Sequence, residues 1–165
     1  MPASRSMTRW GVGPNFAVPS LAIFILLSIA NSFIPALLLP FNLYRFLISV
    51  VLIACGVAMC ISAASQVHRA FNQGKLVTSG LYAYIRNPVY AAWILLIAPG
   101  VIVASGLLLL TIMPFAMYAM VRVLIVNEDR YLEQKFGQEY LEYKKNVNSI
   151  IPKLRHSKLN LEAPA

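Results

Sequence analysis

The sequence predicts an all-α integral membrane protein of about four transmembrane helices, with a cytoplasmic connector and an amphipathic C-terminal helix. Three observations predict it. Hydrophobic residues fill 59% of the 165 positions, charged residues only 12%, and the mean hydropathy is +0.67, far from the balance of a soluble domain. Residues 16–44, 46–67 and 88–121 contain no Asp, Glu, Lys or Arg, and each run is long enough to cross a hydrocarbon core. All six acidic residues lie at or after position 128, which confines every carboxylate to one stretch near the C-terminus.

The first two runs predict spans near 17–38 and 45–65. The third, at 34 residues, would stretch roughly 51 Å as one helix against a hydrocarbon core of roughly 30 Å, so it must fold back. A break at Pro99-Gly100 leaves a first arm of about 11 residues, too short to cross. A break at Ala104-Ser105-Gly106 gives spans near 88–103 and 107–126, with Pro99 as a kink. Residues 1–165 then form a single membrane domain. The first apolar run continues without a clear small-residue cleavage site, so a removable signal peptide is not expected. Of the fourteen Lys and Arg, only Arg45 falls outside the N-terminal tail, the 66–87 connection and the region from Arg122 onward. The positive-inside rule therefore makes both termini cytoplasmic. The net charge of +8 is spread along membrane-flanking segments, which points to anionic membrane lipids rather than nucleic acid. Cys55 and Cys60, five apart in the second span without His or further Cys nearby, read as apolar fillers and give no metal or disulfide signal.

The polar chemistry sits in two places. The stretch NEDRYLEQKFGQEYLEYKKNV (127–147) places Leu132, Phe136, Tyr140, Tyr143 and Val147 at helical spacing, the apolar face of an amphipathic helix at the membrane surface with a candidate break at Gly137. Lys135, Glu139, Glu142, Lys144 and Lys145 read as its solvated face. Glu128 and Asp129 follow the last apolar turn, at a depth where a carboxylate is costly without a partner, and read either as a functional pair or as a marker of the helix end.

The connection SQVHRAFNQGKLVTSGLYAYIRN (65–87) is the second place. NQGK reads as a turn, and Thr78 or Ser79 as the cap of a short helix carrying Tyr82 and Tyr84. Asn87 is a good N-cap and Pro88 a favoured first helical residue. The helix start also directs backbone N–H groups and a positive dipole end toward the membrane face. Tyr90 and Trp93 fit an aromatic belt, Arg86 a positive-inside anchor, Arg122 a snorkelling side chain and His68 an interfacial polar residue. The hairpin of the third and fourth spans brings Pro88 and Glu128 to its open end, making a headgroup-level pocket with lipid access.

LVTSGLYAYIRNPVYAAW (76–93), followed by EDRYLEQKFGQEYLEYKKNV (128–147), resembles the C-terminal half of the isoprenylcysteine carboxyl methyltransferase family. The wider group includes phospholipid N-methyltransferases and membrane thiol methyltransferases. The resemblance covers roughly residues 75–153, which is thereby the expected cofactor region, and leaves out the first two spans. It implies S-adenosylmethionine as cofactor and a lipophilic small molecule or lipid as methyl acceptor. It also implies cofactor-site roles for Gly80, Tyr82, Arg86, Asn87, Pro88, Tyr90, Glu128 and Asp129. Asn87 stands where the best-known eukaryotic members have His, and Asp129 shortens the second carboxylate.

Methyl transfer from a sulfonium releases a neutral leaving group, so neither a metal nor a covalent enzyme intermediate is required. Positioning carries most of the catalysis. On this reading Glu128 holds the cofactor's ribose hydroxyls or ammonium, backbone around Asn87-Pro88 holds its polar tail, and Tyr90 packs the adenosine. Arg86 and Arg122 orient an anionic substrate group, which makes Arg86, Arg122 and Glu128 the candidate catalytic set. Two other classes remain: an NADPH-dependent membrane enone or sterol-type reductase, and a non-catalytic membrane scaffold.

Overall fold

The computed structural model describes residues 13–152. The termini expected on the cytoplasmic side lie outside the described residues. Helix α1 runs Gly13–Ser32 and α2 runs Leu43–Gln73. The third span, Pro88–Ser105, is built from α3 (Pro88–Ala92), a π-helical turn (Trp93–Ile97) and α4 (Ala98–Ser105). A 3-10 segment (Leu108–Ile112) leads into α5 (Met113–Phe136), and α6 (Gln138–Asn146) follows. Among the described residues, four helices are long and apolar enough to cross a membrane, and the protein is an integral membrane protein.

The third span lies between α2 and α5, and α1 packs along α5. Large apolar side chains on the outer faces, such as Leu26 of α1, Val51 of α2 and Phe115 of α5, stay exposed, as expected where lipid rather than water is the solvent. Inside, Tyr90, Ile94 and Ala98 meet Met113, Met117, Val121 and Ile125 of α5. The approach to α2 is close. A Cβ built on Gly100 would lie 2.7 Å from Ile53 Cγ1 and 3.3 Å from the Ile53 backbone nitrogen, so only glycine fits this crossing without displacing α2.

The kink expected at Pro99 takes the form of the widened turn before it. Proline supplies no N–H to the carbonyl four residues earlier, and the ladder adjusts so that Ala98 N–H bonds to Trp93 O, five residues back. The chain then reverses at Gly106, whose φ is 72°. Polar contacts tie this end together. Arg45 donates from Nε and Nη2 to Val103 O at 3.3 and 2.9 Å and from Nη1 to Pro40 O, placing a cation on the last carbonyls of α4, where the helix dipole favours it. Buried Asn31 accepts from Leu109 N–H at 3.0 Å.

Three sequence expectations change. Helix α2 does not stop near residue 65 but continues to Gln73, because nothing in AASQVHRAFNQ interrupts a helix before Gly74; His68 is an exposed residue of α2. Helix α5 likewise carries the fourth span through Glu128 and Asp129 to Phe136, so the amphipathic stretch is not one separate helix, and it breaks at Gly137. Its apolar face is not turned to lipid. Tyr140, Tyr143 and Val147 are buried against Leu76, Leu132 and Phe136, because the 74–87 connection folds back over α6.

Replacing Gly100 by Leu should destabilise the bundle by about 1–3 kcal/mol through overpacking, read as a lower thermal unfolding midpoint in detergent.

Candidate functional site

The site forms where the segment entering α3 meets the end of α5. Along α5, Val121, Ile125 and Asp129 are buried at successive four-residue steps, so Asp129 lies on the inward face of the helix. Its carboxylate is saturated by three donors. Oδ1 accepts from Arg86 Nη1 at 2.9 Å and from the Tyr140 hydroxyl, and Oδ2 lies 2.9 Å from Lys144 Nζ. Arg86 Nη1 also reaches the Tyr140 oxygen at 2.9 Å, and Lys144 also bonds Glu133 Oε1 at 2.6 Å. Lys144, expected on the solvated face, is instead part of this network because α6 doubles back along α5.

Glu128 is one residue earlier, about 100° around the helix, and therefore faces a different group. Its Oε1 accepts from the Tyr90 hydroxyl at 3.0 Å. The Tyr90 ring is 8% exposed and meets Phe16 of α1 edge to face at 5.1 Å. This corrects the expectation of Tyr90 as an open shelf for adenosine: Phe16 covers the ring, and its hydroxyl orients Glu128. Tyr82 lies in a 3-10 turn, Gly80–Ala83. Burial first, and then the Glu128 charge, raise the Tyr82 phenol pKa, so Tyr82 lies within electrostatic reach of the same carboxylate.

Local structure departs from the capping scheme. Ser79 precedes a single 3-10 turn and makes no side-chain cap bond, and Tyr84 follows it, exposed. Asn87 is the N-cap residue of α3, but its side chain does not cap; Nδ2 donates to Ser149 Oγ at 3.0 Å. Backbone N–H groups of Arg86 and Asn87 donate to the carbonyls of Asn148 and Ser149 at 2.8 and 3.0 Å, so the segment after α6 is strapped across the helix start. Pro88 is fully buried beneath it. Gly80 has φ +61°, a left-handed backbone conformation that favours glycine, and faces the amide end of the Gln66 side chain on α2.

Of the residues singled out in the sequence, Arg86 and Asp129 form one cluster, and Tyr82, Tyr90 and Glu128 an adjoining one. Arg122 joins neither. It is exposed on α5, about two turns before Asp129 and on nearly the same side of the helix. Arg86 is committed to Asp129, with its side chain 10% exposed. Sequence reasoning missed Phe16, Tyr140, Tyr143 and Ser149. Tyr140 and Tyr143 carried a signal, being tyrosines on an apolar face that need acceptors when buried; Phe16 and Ser149 carried none. Among the described residues, no group of three or more His, Cys, Asp or Glu could hold a metal ion.

Fold and site together define a polytopic membrane protein with a carboxylate–tyrosine cluster at one end of its helices. Comparison with known proteins carries this further: residues 46–134 match the model of the Isoprenylcysteine carboxyl methyltransferase (ICMT) family, and the chain belongs to that family. The match includes nearly all of α2, so the second span is not outside the resemblance as the motifs alone implied. Relatives include the protein-S-isoprenylcysteine O-methyltransferases of Dictyostelium discoideum, 36% identical over 85 residues (47% of this chain, 32% of the relative), and Homo sapiens, 31% over 86 residues (52% and 30%). The chain matches about a third of the length of these curated relatives. The solved structure of the eukaryotic intramembrane Ras methyltransferase ICMT superposes with a TM-score of 0.62 at 23% identity, covering 92% of this chain and 54% of that one. The helical arrangement is thus shared beyond the matched motifs.

Asp129→Asn, which strands the Arg86 charge in a site only 10–12% exposed, should destabilise the protein by on the order of 3 kcal/mol. Lys144→Met should cost about 0–1 kcal/mol, since Lys144 is 36% exposed and screened by water. Thermal unfolding in detergent measures both. A pH effect follows as well. Burial, and for Tyr140 its bond to Asp129, raise the Tyr140 and Tyr143 phenols above their usual 10.0. Above that pH the unfolded chain gives up these protons while the folded chain keeps them, so stability should hold below pH 10.0 and fall above it. The fall should be shallower in Tyr140→Phe.

Proposed function

We propose that the protein is an S-adenosylmethionine-dependent methyltransferase that methylates a lipophilic acceptor arriving through the bilayer, with the carboxylate of an isoprenylcysteine as the acceptor class. The observation that carries the reading is the Tyr90–Glu128 bond at 3.0 Å. It joins the two separated family motifs into one carboxylate-bearing lip at the end of the third and fourth spans. Family membership and the names of the relatives support the same activity.

The donor set suits the cofactor. Glu128 offers a half-buried carboxylate for an ammonium or ribose hydroxyls, and Tyr82 an aromatic ring. Arg86 Nε and Gln66 Oε1 are buried polar atoms without a protein partner, a donor and an acceptor of the kind a polar ligand would satisfy. When bound, S-adenosylmethionine supplies an electrophilic methyl group on sulfur. Glu128 then binds the donor, with Tyr90 fixing its direction. Tyr82 and Gly80 line the approach from α2, and the Asn87-Pro88 start of α3 closes it beneath the strap. Asp129 serves as scaffold rather than ligand, because Arg86, Tyr140 and Lys144 occupy its oxygens. The positive flanks support a cytoplasmic orientation for this end and for both termini. Residues 1–165 act as one domain with 75–153 as the cofactor region.

Calorimetry with S-adenosylhomocysteine tests the site. Glu128→Gln should weaken binding about 10- to 100-fold, the equivalent of a charged hydrogen bond. Unaltered affinity in Glu128→Gln and Tyr90→Ala alike would remove the assignment. Labelled methyl transfer in the host membrane tests the acceptor: a methyl ester releases its label as methanol in base, whereas a methylated amine or thiol retains it.

A further inference from the structure

Helix α6 reaches back to the segment that carries Tyr82. Tyr143, 4% exposed, donates its hydroxyl to the Tyr82 carbonyl oxygen at 2.6 Å across 61 positions of sequence. The turn it grips has little structure of its own. Gly80–Ala83 is one turn of 3-10 helix, held by Tyr82 N–H to Ser79 O at 3.2 Å and by Tyr84 and Ile85 N–H to Leu81 O at 3.2 and 3.1 Å. Single 3-10 turns have poor hydrogen-bond geometry and seldom fix side-chain direction unaided. The Tyr143 ring in turn packs on Tyr140 at 6.2 Å between centroids, and Tyr140 is bound to Asp129, the neighbour of Glu128. Helix α6 therefore grips two elements of the site at once: Tyr140 and Lys144 hold α5, and Tyr143 holds the turn that carries Tyr82.

A buried phenol needs some acceptor. The acceptor used is the carbonyl of Tyr82, in the turn that leads into Arg86 and the start of α3 and within electrostatic reach of Glu128. We infer that Tyr143 is a positioning residue for the methyl-donor site, holding the backbone of Tyr82 so that its ring faces the bound donor across from Glu128. The inference rests on the function proposed above. It assigns Tyr143 a contribution to ligand affinity that is exerted through Tyr82, with no contact of its own to the ligand.

A double-mutant cycle on the full chain in detergent, read as S-adenosylhomocysteine affinity by calorimetry, tests it. Tyr143→Phe keeps the ring and removes only the donor, and should weaken binding about 3- to 10-fold, the range for one neutral hydrogen bond. In a Tyr82→Ala background the same substitution should cause no further loss. Wild-type affinity in Tyr143→Phe, or an equal loss in both backgrounds, overturns the inference and leaves Tyr143 as a core residue alone. So does wild-type affinity in Tyr82→Ala by itself, which decides the matter even if Tyr143→Phe does not fold. Failure of the unaltered protein to bind S-adenosylhomocysteine overturns the proposed function and this inference together, whereas binding that is insensitive to these substitutions removes only the inference.

Discussion

A carboxylate withdrawn from water at the end of an apolar bundle is tolerated only when donors surround it, and the position of Asp129 on the inward face of α5 imposes that requirement here. Meeting it brings two other stretches to α5: the segment entering α3 through Arg86, and α6 through Tyr140 and Lys144. Once those are fixed, much of the rest follows. The chain must turn at Gly137 for α6 to lie back along α5. The 74–87 connection must cross above it, and the segment after α6 is carried to the start of α3, where Asn87 and Ser149 meet.

The same anchor divides labour between two adjacent carboxylates. Neighbours on a helix point about 100° apart, so with Asp129 committed inward, Glu128 is left to face Tyr90 and Tyr82. Asp129 is held by Arg86, Tyr140 and Lys144, whereas Glu128 meets Tyr90, although the pair reads as equivalent in the sequence. The opposite end of the bundle uses a cation for a comparable purpose: Arg45 neutralises the C-terminal carbonyls of α4 at the hairpin turn. Polar chemistry thus sits at both ends of the helices, and the apolar length between them, crossed closely at Gly100, faces lipid.

Four spans, their approximate limits and the fold-back of the 88–121 run were legible in the sequence, because hydropathy and length in a bilayer are one-dimensional properties. The meeting of Arg-Asn-Pro-x-Tyr with Glu-Asp was legible too, since a hairpin must close at its open end. What went unread concerned direction and continuity. Nothing in composition marks where a helix leaves the membrane, so α2 and α5 both outran their expected ends. Arg122 looked equivalent to Arg86 by type and depth, yet it is Arg86 that bonds Asp129. Tyr90 looked like a belt residue or a ligand shelf until Phe16, 74 positions earlier in the chain, was found against its ring.

The sequence by itself therefore determined the class of protein, the membrane as its solvent and the two motifs that compose the site, because each depends on residue type and local spacing. Tertiary structure alone decided which partners each of the two carboxylates meets, that Asn87 clasps a strap instead of capping a helix, and that α6 packs on the protein instead of the lipid. Those outcomes depend on which donors arrive from distant segments, and side-chain direction is fixed only when those segments have packed.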